Sequence, residues 1–454
     1  MAVDWMWLGA VTDDGITVSA NLTASDTTPR LAVSTEADMS SPTYFAGSAS
    51  DATIGGHRIK IAAAGLDPRT RYWCQIELDA GLDTGFTGKF WTLPLDGSAS
   101  SYTFGHVSCT ETIPTQDITS GDAASVQLWS QTGTFFHLGD LHYLNDGTTG
   151  TVSLRAGYID DQLNGAQLGK LFYAQPVVYI HDDHDFGDNN AIGTSASNAN
   201  QNLAFRATVP HYPLADSTYG VGHSYQIGRV LVIATDLRSF RDANNATDDS
   251  SKTMMGDSSN NFDQKAWFKD QLDTARDSNC SAVVWLNSQV WPSDGTGLDN
   301  DEWHSFSTER QEIADYLNAD PTYPKVIALA GDMHSSARKK DTDYSTAGDG
   351  VGSIDVFQCA SLSKSGNYRG SSWDSGPVQG DGQFARLCFR ETADGLWLDW
   401  ETTDEPFTGS ATERHWINYQ ISEPITPVVT DASSDLVADT FADGTSASKI
   451  RALV

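Results

Sequence analysis

The chain of 454 residues is longer than one ordinary domain and strongly acidic, with 28 lysine and arginine residues against 60 aspartate and glutamate residues. Its formal charge of -32 disfavours binding to nucleic-acid backbones and to anionic membrane surfaces, because such contacts need cationic side chains. No apolar run reaches the length of a membrane span, and the first residues do not form a signal-peptide pattern. We therefore expect two domains, or one large domain with an appendage, and no membrane span.

The cysteines indicate neither a disulfide framework nor a zinc finger. They are five in number, scattered, and without a CxxC pair. Buried thiols are the simplest expectation for most of them. The five are Cys74, Cys109, Cys280, Cys359 and Cys388.

Residues 1–98 contain short alternating segments typical of β-strands, separated by Gly, Pro and Asp turns. This pattern predicts a β-sandwich. The stretch GLDPRTRYWCQIEL, which contains Tyr72, resembles the tyrosine corner of a fibronectin type III or immunoglobulin-like domain. We expect this region to support the rest of the chain rather than to carry chemistry.

From Ser101 onward, short apolar runs alternate with segments of helical character, which indicates a layered α/β architecture. One predicted helix opens with TERQ, where Thr308 and Gln311 match a capping box. Two strands beginning at Ala385 and Leu396, joined by an ADG turn, predict a hairpin. Residues 425–454 are polar with weak periodicity, so we expect a loosely docked or disordered tail.

Residues able to bind metal or phosphate follow all six apolar runs of the second region. In a mostly parallel sheet these strand ends converge on one edge. A carboxylate beside a phenol, as in GDLHY, suits a hard and highly charged cation. In chain order the residues are Cys109; Asp140 and Tyr143; Asp182, Asp183, His184, Asp185, Asn189 and Asn190; Asp236, Arg238 and Arg241; Asn287 and Gln289; and Asp332 and His334.

Each of these signals has a simpler structural reading. A GD dipeptide after a strand is common in turns and helix caps, and an acidic run is commonly a solvated loop. Asp332 and His334 would lie on one side of a continuing strand through ordinary alternation. The two arginines could be surface charges paired with carboxylates. The coincidence at six successive strand ends is what favours a functional site.

Four ordered motifs, GDLHY, DDHDFGDNN, TDLRSFR and GDMHSS, resemble those of the PhoD-like alkaline phosphatases, which are calcineurin-like metallophosphoesterases. The resemblance implies an α/β fold with a four-layer αββα core over residues 99–424, preceded by a fibronectin-like or immunoglobulin-like β-sandwich over residues 1–98. It also implies a centre of ferric iron (Fe3+) and calcium (Ca2+). Mg, Mn or Zn remain open for the second metal, because oxygen ligands accept several ions.

The resemblance assigns roles to individual residues. Asp140 would bridge the metals, and Cys109, Tyr143 and His334 would bind the iron. Asn189 and Asp332 would bind calcium, with Asn190 as the alternative to Asn189.

These assignments lead to a mechanistic hypothesis. Two adjacent metals can clamp the phosphoryl oxygens and lower the pKa of a bound water. Arg238 would act as a planar fork for the phosphate, and His184, oriented by Asp185, would stabilise the developing charge or protonate the leaving oxygen. The predicted activity is hydrolysis of a small phosphomonoester or phosphodiester.

Two alternatives remain open: a phospholipase-type phosphodiesterase and a noncatalytic, calcium-stabilised binding protein. The sequence contains no GxSxG elbow, Walker A motif or GxGxxG turn, so a covalent serine hydrolase or a nucleotide-binding dehydrogenase is unsupported. The family and the acidity favour a secreted or periplasmic protein, although the sequence shows no signal peptide. It gives no indication of the oligomeric state.

Overall fold

The computed structural model describes residues 1–110, 133–145, 150–164, 168–193, 198–292, 301–340, 354–360, 362–364, 373–379, 383–403 and 416–422. The predicted tail, residues 425–454, lies outside the described residues. The described part contains helices and four β-sheets, which confirms the mixed α/β class. Within the same residues, no helix has both the length and the apolar character that a bilayer crossing requires.

The first 91 residues form two antiparallel sheets, of three strands (order β1-β2-β5) and five strands (β4-β3-β6-β7, with β8 on β6). The Tyr72 hydroxyl accepts a hydrogen bond of 3.0 Å from the backbone N–H of Asp67, as a tyrosine corner requires. The strands are β1 (Val3–Gly9), β2 (Ile16–Leu22), β3 (Arg30–Ser34), β4 (Thr43–Ala46), β5 (Arg58–Ala63), β6 (Arg71–Leu78), β7 (Gly81–Leu82) and β8 (Gly88–Trp91).

A six-stranded sheet has the order β11-β10-β9-β19-β20-β21. Its strands β9, β10 and β11 are parallel, and β19 to β21 are antiparallel. The predicted hairpin is confirmed, since β19 pairs with β20 around a turn that places Thr392 opposite Gly395. The strands are β9 (Tyr102–Val107), β10 (Thr134–Leu138), β11 (Val177–Ile180), β19 (Phe384–Thr392), β20 (Gly395–Thr403) and β21 (Trp416–Ser422).

A seven-stranded sheet has the order β12-β13-β14-β15-β17-β16-β18. Strands β13, β14, β15 and β17 are parallel neighbours, and β12, β16 and β18 are antiparallel to their partners. The strands are β12 (His223–Ile227), β13 (Val230–Ala234), β14 (Ala282–Leu286), β15 (Lys325–Ala330), β16 (Ser335–Lys339), β17 (Ile354–Cys359) and β18 (Ser375–Gln379).

The described helices are α1 (Val152–Leu163), α2 (Leu168–Ala174), α3 (Asp183–Phe186), α4 (Asn198–Thr208), α5 (Gln264–Asp277) and α6 (Ser307–Asn318), with a 3-10 turn at Trp303–Phe306 before α6. The capping box predicted for α6 is wrong. The backbone N–H and the hydroxyl of Ser307 both donate to the carboxylate of Asp248, and the Gln311 amide donates to Asp315. The Thr308 N–H, which Gln311 was expected to satisfy, also donates to the distant carboxylate of Asp248, at 3.3 Å.

Both larger sheets contribute to one hydrophobic cluster, which includes Phe136 from β10, Val232 from β13 and Ile327 from β15. The parallel strands are buried on both faces, in agreement with their largely apolar sequences. The six polar strand ends predicted to share the edge of one sheet are therefore divided, with three in each sheet. Their convergence depends on how the two sheets meet.

Candidate metal centre

Two glycines allow the strand ends to approach each other: Gly331 between the two sheets, and Gly139 within the six-stranded sheet. A Cβ on Gly331, just after β15, would lie 2.7 Å from Ser108 Oγ and 2.9 Å from the Leu138 carbonyl. A Cβ on Gly139, whose φ is +94°, would lie 2.4 Å from Asp182 Cβ. Only a residue without a side chain fits at either position. The residues that follow β9, β10, β11 and β15 are thereby brought together.

Four predicted metal ligands form one contact group. The Tyr143 hydroxyl donates to Asp140 Oδ2 at 2.8 Å and lies 2.9 Å from His334 Nε2. Cys109 Sγ is 3.6 Å from the same Asp140 oxygen. One ligand atom each from Cys109, Asp140 and His334 lies within 4.8 Å of the other two. Thiolate, phenolate, imidazole and carboxylate together are a donor set suited to a transition-metal ion.

Two further groups are dominated by carboxylates; one of them shares Asp140 with the first group, and the two share Asp183 with each other. Asp140, Asp183 and His184 form one group, and Asp182, Asp183 and Asp332 form the other, each with ligand atoms within 4.8 Å of one another. Carboxylate oxygen is the ligand preferred by hard divalent cations. Because Asp140 belongs to both the thiolate group and a carboxylate group, the arrangement can hold adjacent ions joined by one carboxylate.

The backbone is left-handed at several of these residues. The φ angle is +61° at Cys109, +55° at Asp140, +61° at Asn190, +63° at Asp332 and +51° at His334. Each such non-glycine residue costs on the order of 1–3 kcal/mol, and this strain concentrates at functional sites. The simpler reading, in which Asp332 and His334 alternate along a continuing strand, is wrong. The chain turns sharply after β15 to present both side chains.

Burial and crowded negative charge both oppose ionisation of the cluster. Burial, and then the charges of Asp183 and Asp182, raise the pKa of Asp140 well above its usual range. Burial followed by the charge of Asp140 likewise raises the pKa of the Cys109 thiol and of the Tyr143 phenol. A bound cation reverses this balance, since it favours the deprotonated form of every one of these groups. The residues therefore fit a metal centre.

A comparison with protein families matches the PhoD-like phosphatase model to residues 104–383, more than half of the chain. The chain belongs to the PhoD-like phosphatase family. The four motifs that resemble those of this family, GDLHY, DDHDFGDNN, TDLRSFR and GDMHSS, all lie within the matched residues. Membership implies metal-dependent hydrolysis of phosphate esters, and the metal-ligating groups described above agree with it.

The fold agrees with that assignment. The solved structure described as that of PhoD has 16% sequence identity and a TM-score of 0.71, over 96% of this chain and 95% of that chain. At this identity the match shows the fold alone. The sensor domain of the anti-sigma factor RsgI4 of Pseudobacteroides cellulosolvens has 17% identity over 21% of this chain and 98% of its own, and its TM-score of 0.16 carries no weight. No curated protein matches the chain.

Asp185 has a different place in this PhoD-like phosphatase from the one predicted. Its carboxylate accepts hydrogen bonds from three backbone N–H groups: those of Asp140 at 2.6 Å, Leu141 at 2.7 Å and Asp182 at 3.0 Å. It therefore holds the turn after β10 against the end of β11. His184 is oriented by Asn145 instead, with 2.6 Å between His184 Nδ1 and Asn145 Oδ1.

The phosphate fork predicted at Arg238 is also corrected. The Arg238 side chain is fully buried, and its guanidinium donates to Asp182 and, through two nitrogens, to Asp301 at 3.1 and 2.7 Å. Arg241 pairs with the same Asp301. With both edges of its guanidinium bonded to carboxylates, Arg238 holds Asp182 in place from behind the pocket.

The remaining predicted residues divide between the pocket and its support. Asn189 is exposed, whereas the backbone N–H of the half-buried Asn190 donates to Asp183 Oδ2 at 2.6 Å. Gln289 donates to both oxygens of Asp182, at 3.0 and 2.8 Å. Asp236 pairs with His181 at 2.9 Å, behind the acidic run.

Sequence reasoning missed several residues that the structure places at the pocket. Asp183 was noted at a strand end but given no role, and it belongs to two of the three groups. Asn145 lies two residues after Tyr143, and its proximity to GDLHY was the available signal. Ser108 Oγ lies 3.2 Å from Cys109 Sγ. Lys364 follows no strand-end motif, so no pattern pointed to it.

Proposed function

We propose that the chain hydrolyses phosphomonoesters and phosphodiesters at adjacent metal ions that share Asp140. One observation carries the proposal: a thiol, a phenol, an imidazole and several carboxylates converge around one buried carboxylate at the ends of strands from two sheets. Membership in the PhoD-like phosphatase family supports the same chemistry.

The donor chemistry suggests how the ions are divided. Cys109, Tyr143 and His334 join Asp140 around a ferric ion, because strongly donating anions favour the oxidised metal. Asp332, with Asn189 or Asn190, binds a second ion, for which calcium is the first candidate and Mg, Mn or Zn are alternatives. Asp183, which lies in both carboxylate groups, is added to this second set. When bound, such ions neutralise the phosphoryl oxygens and lower the pKa of a water.

His184 is the residue we assign to proton transfer. Its ring lies 4.1 Å from the Tyr143 ring, and Nδ1 donates to the Asn145 amide oxygen. That bond leaves Nε2 as the nitrogen that can give a proton to the leaving oxygen. Asp185 acts as a positioning residue, because its three backbone contacts fix Asp140 and Asp182.

We also infer the architecture that the family implies. The two small sheets form a fibronectin-like or immunoglobulin-like sandwich over residues 1–98, and the six-stranded and seven-stranded sheets form the inner layers of an αββα catalytic domain over residues 99–424. Direct contacts join the two regions. Trp7 Nε1 donates to the Val177 carbonyl at 3.0 Å, and Lys60 donates to the carbonyl of Val209 at 2.7 Å.

Hydrolysis of a chromogenic phosphomonoester and of its diester, before and after chelation, tests the function. We expect turnover that chelation abolishes and that iron with calcium restores. Asp399→Asn is the matched control for Asp140→Asn, because Asp399 pairs with Arg390 in the β19–β20 hairpin. Unchanged turnover after chelation would contradict the proposal. No turnover with any metal would favour the calcium-stabilised binding protein, and preference for large lipid esters would favour the phospholipase.

His184→Gln separates proton transfer from metal binding. As a proton donor, His184 contributes about a hundred- to ten-thousandfold to kcat, and the variant keeps its metal content. Elemental analysis beside kinetics checks this. A variant that loses a metal ion would instead place Nε2 in the group with Asp140 and Asp183.

A further inference from the structure

A cationic side chain was predicted to face the phosphate, and the residue assigned to it, Arg238, is bonded to Asp182 and Asp301 instead. Arg238 and Arg241 are both fully buried and paired with Asp301. The pocket itself is lined by carboxylates, so an incoming phosphate meets repulsion wherever the metal charge does not reach. A different cation is needed at the open side.

Lys364 lies at that position. Its ammonium nitrogen is 4.7 Å from the centre of the Tyr143 ring, and its side chain is only half-buried. The Tyr143 ring also contacts the His184 ring, at 4.1 Å. Lys364 and the assigned proton donor therefore contact the same phenol, whose hydroxyl bonds to Asp140.

The backbone holds Lys364 in this place. Leu362 N–H donates to the Ser108 carbonyl at 3.1 Å, and Ser363 N–H donates to the Cys109 carbonyl at 3.3 Å. The Leu362 side chain is buried in the hydrophobic cluster that contains Val107 from β9. Lys364 thus directly follows two residues whose backbone is bonded to Ser108 and Cys109, and Cys109 is a predicted metal ligand.

We propose that Lys364 binds the substrate phosphate and favours dianionic monoesters over monoanionic diesters, an inference that rests on the proposed function. A lysine ammonium is a compact point charge that suits phosphate oxygens without requiring a fixed fork. A lysine over the face of a half-buried tyrosine gains little from that contact by itself. The place of Lys364 beside Tyr143 matters chiefly because it brings a positive charge next to the pocket that the phosphate enters. Lys364 is a phosphate-positioning residue, and its effect scales with the charge of the ester.

The test compares Lys364→Met and Lys364→Arg with Lys269→Met in metal-loaded full-length protein. Lys269, on α5, is a matched control. Its ammonium lies 5.2 Å from the ring of Tyr316 on α6, and it pairs with Glu312. The measurements are kcat and KM for a monoester and its diester, the Kd of inorganic phosphate by calorimetry, and the metal content of each variant.

For Lys364→Met we expect the KM of the monoester and the Kd of phosphate to rise on the order of tenfold or more, as loss of a hydrogen bond to a charged group predicts. The diester should lose less, Lys364→Arg should restore part of the effect, and Lys269→Met should match the parent. Metal content should stay unchanged.

An unchanged Kd and KM in Lys364→Met would overturn the inference. An equal rise in KM for the monoester and the diester would also overturn it. So would a loss of metal, if the protein that stays metal-loaded binds phosphate as tightly as the parent. If Lys364→Met fails to fold, Lys364→Arg and Lys364→Gln decide through the same Kd. A parent chain that binds phosphate through Lys364 but hydrolyses neither ester would refute the proposed function and leave the phosphate site standing.

Discussion

Two buried carboxylates of this protein, Asp301 and Asp140, have opposite electrostatic surroundings. Burial alone would raise the pKa of Asp301, but the charges of Arg238 and Arg241 hold it below its usual range. Burial also raises the pKa of Asp140, and there the neighbouring charges are carboxylates, which raise it further. Asp182 lies between the two environments, bonded to Arg238 on one side and next to Asp183 on the other.

This difference shows what separates a structural ion-pair cluster from a metal centre. Asp301 has its counter-charge in the side chains around it, so its cluster is complete without any ligand. The group around Asp140 collects acidic ligands on a strained backbone and needs positive charge from outside. Residue type alone does not distinguish the two clusters, since both are built around buried aspartates.

The largest expected effect comes from removing the shared carboxylate. Asp140→Asn should lower turnover at least about a thousandfold, because even one preorganised charge-stabilising donor contributes about a hundred- to a thousandfold. Metal content should fall with it. Kinetics and elemental analysis on the same preparation check this, and full turnover with bound metal would refute the bridging role.

Removing Asp301 should instead lower stability and leave metal binding nearly unchanged. Asp301→Asn leaves Arg238 and Arg241 without their shared counter-charge, and breaking a buried pair of this kind costs about 3 to 5 kcal/mol of stability. Urea unfolding measures the loss. Metal bound per folded chain should change little. A variant as stable as the parent would show that the ion pairs of Asp301 do not stabilise the fold.

Buried histidines away from the pocket should make the protein sensitive to acid. Burial lowers the pKa of His106 and of His137 to about 3, and of His211 and His223 to about 4, from an ordinary value of 6.5. The unfolded chain binds these protons first, so stability is full above pH 6.5 and falls as the pH drops toward the folded pKa values.

Each histidine contributes about 1.4 kcal/mol per pH unit in that window. Unfolding of chelated Asp140→Asn from pH 7 to pH 5 removes the contribution of Asp140 itself. His106→Gln, which can still accept the Trp400 N–H, should reduce the slope. An unchanged slope would rule out His106 as one of the protonating groups.

The smallest expected effect concerns the metal-free pocket. Because the folded pKa of Asp140 is raised, its ionisation lowers stability as the pH rises above its unfolded value. Chelated Asp140→Asn should therefore melt a few degrees above the chelated parent at pH 7. Scanning calorimetry at pH 7 and pH 4 checks the sign, and a lower melting temperature would show that the carboxylate is compensated in the free protein.

The sequence predicted those features that depend on local pattern. The apolar runs became the parallel strands, the ADG turn became the β19–β20 hairpin, and Tyr72 made its predicted type of backbone contact. Residues predicted as ligands from separate motifs, including Cys109 and His334, lie in one group with Asp140.

Features that depend on distant partners could not be predicted. Arg238 meets Asp301, which is 63 positions away in a segment without a recognisable motif. Asp248 caps α6 from a loop, and the left-handed turns at Asp332 and His334 have no signature in residue type. Local patterns identify the atoms at a site, whereas tertiary packing decides which of them remain available.

Calorimetric titration of metal into the chelated protein, in buffers of different ionisation enthalpy, tests most directly whether this pocket is completed by a cation. Burial and mutual repulsion favour protons on Asp140, Cys109 and Tyr143 until a metal arrives, so binding should release protons, and Asp140→Asn should release fewer. Metal binding without proton release, or with the same release in Asp140→Asn, would contradict the account.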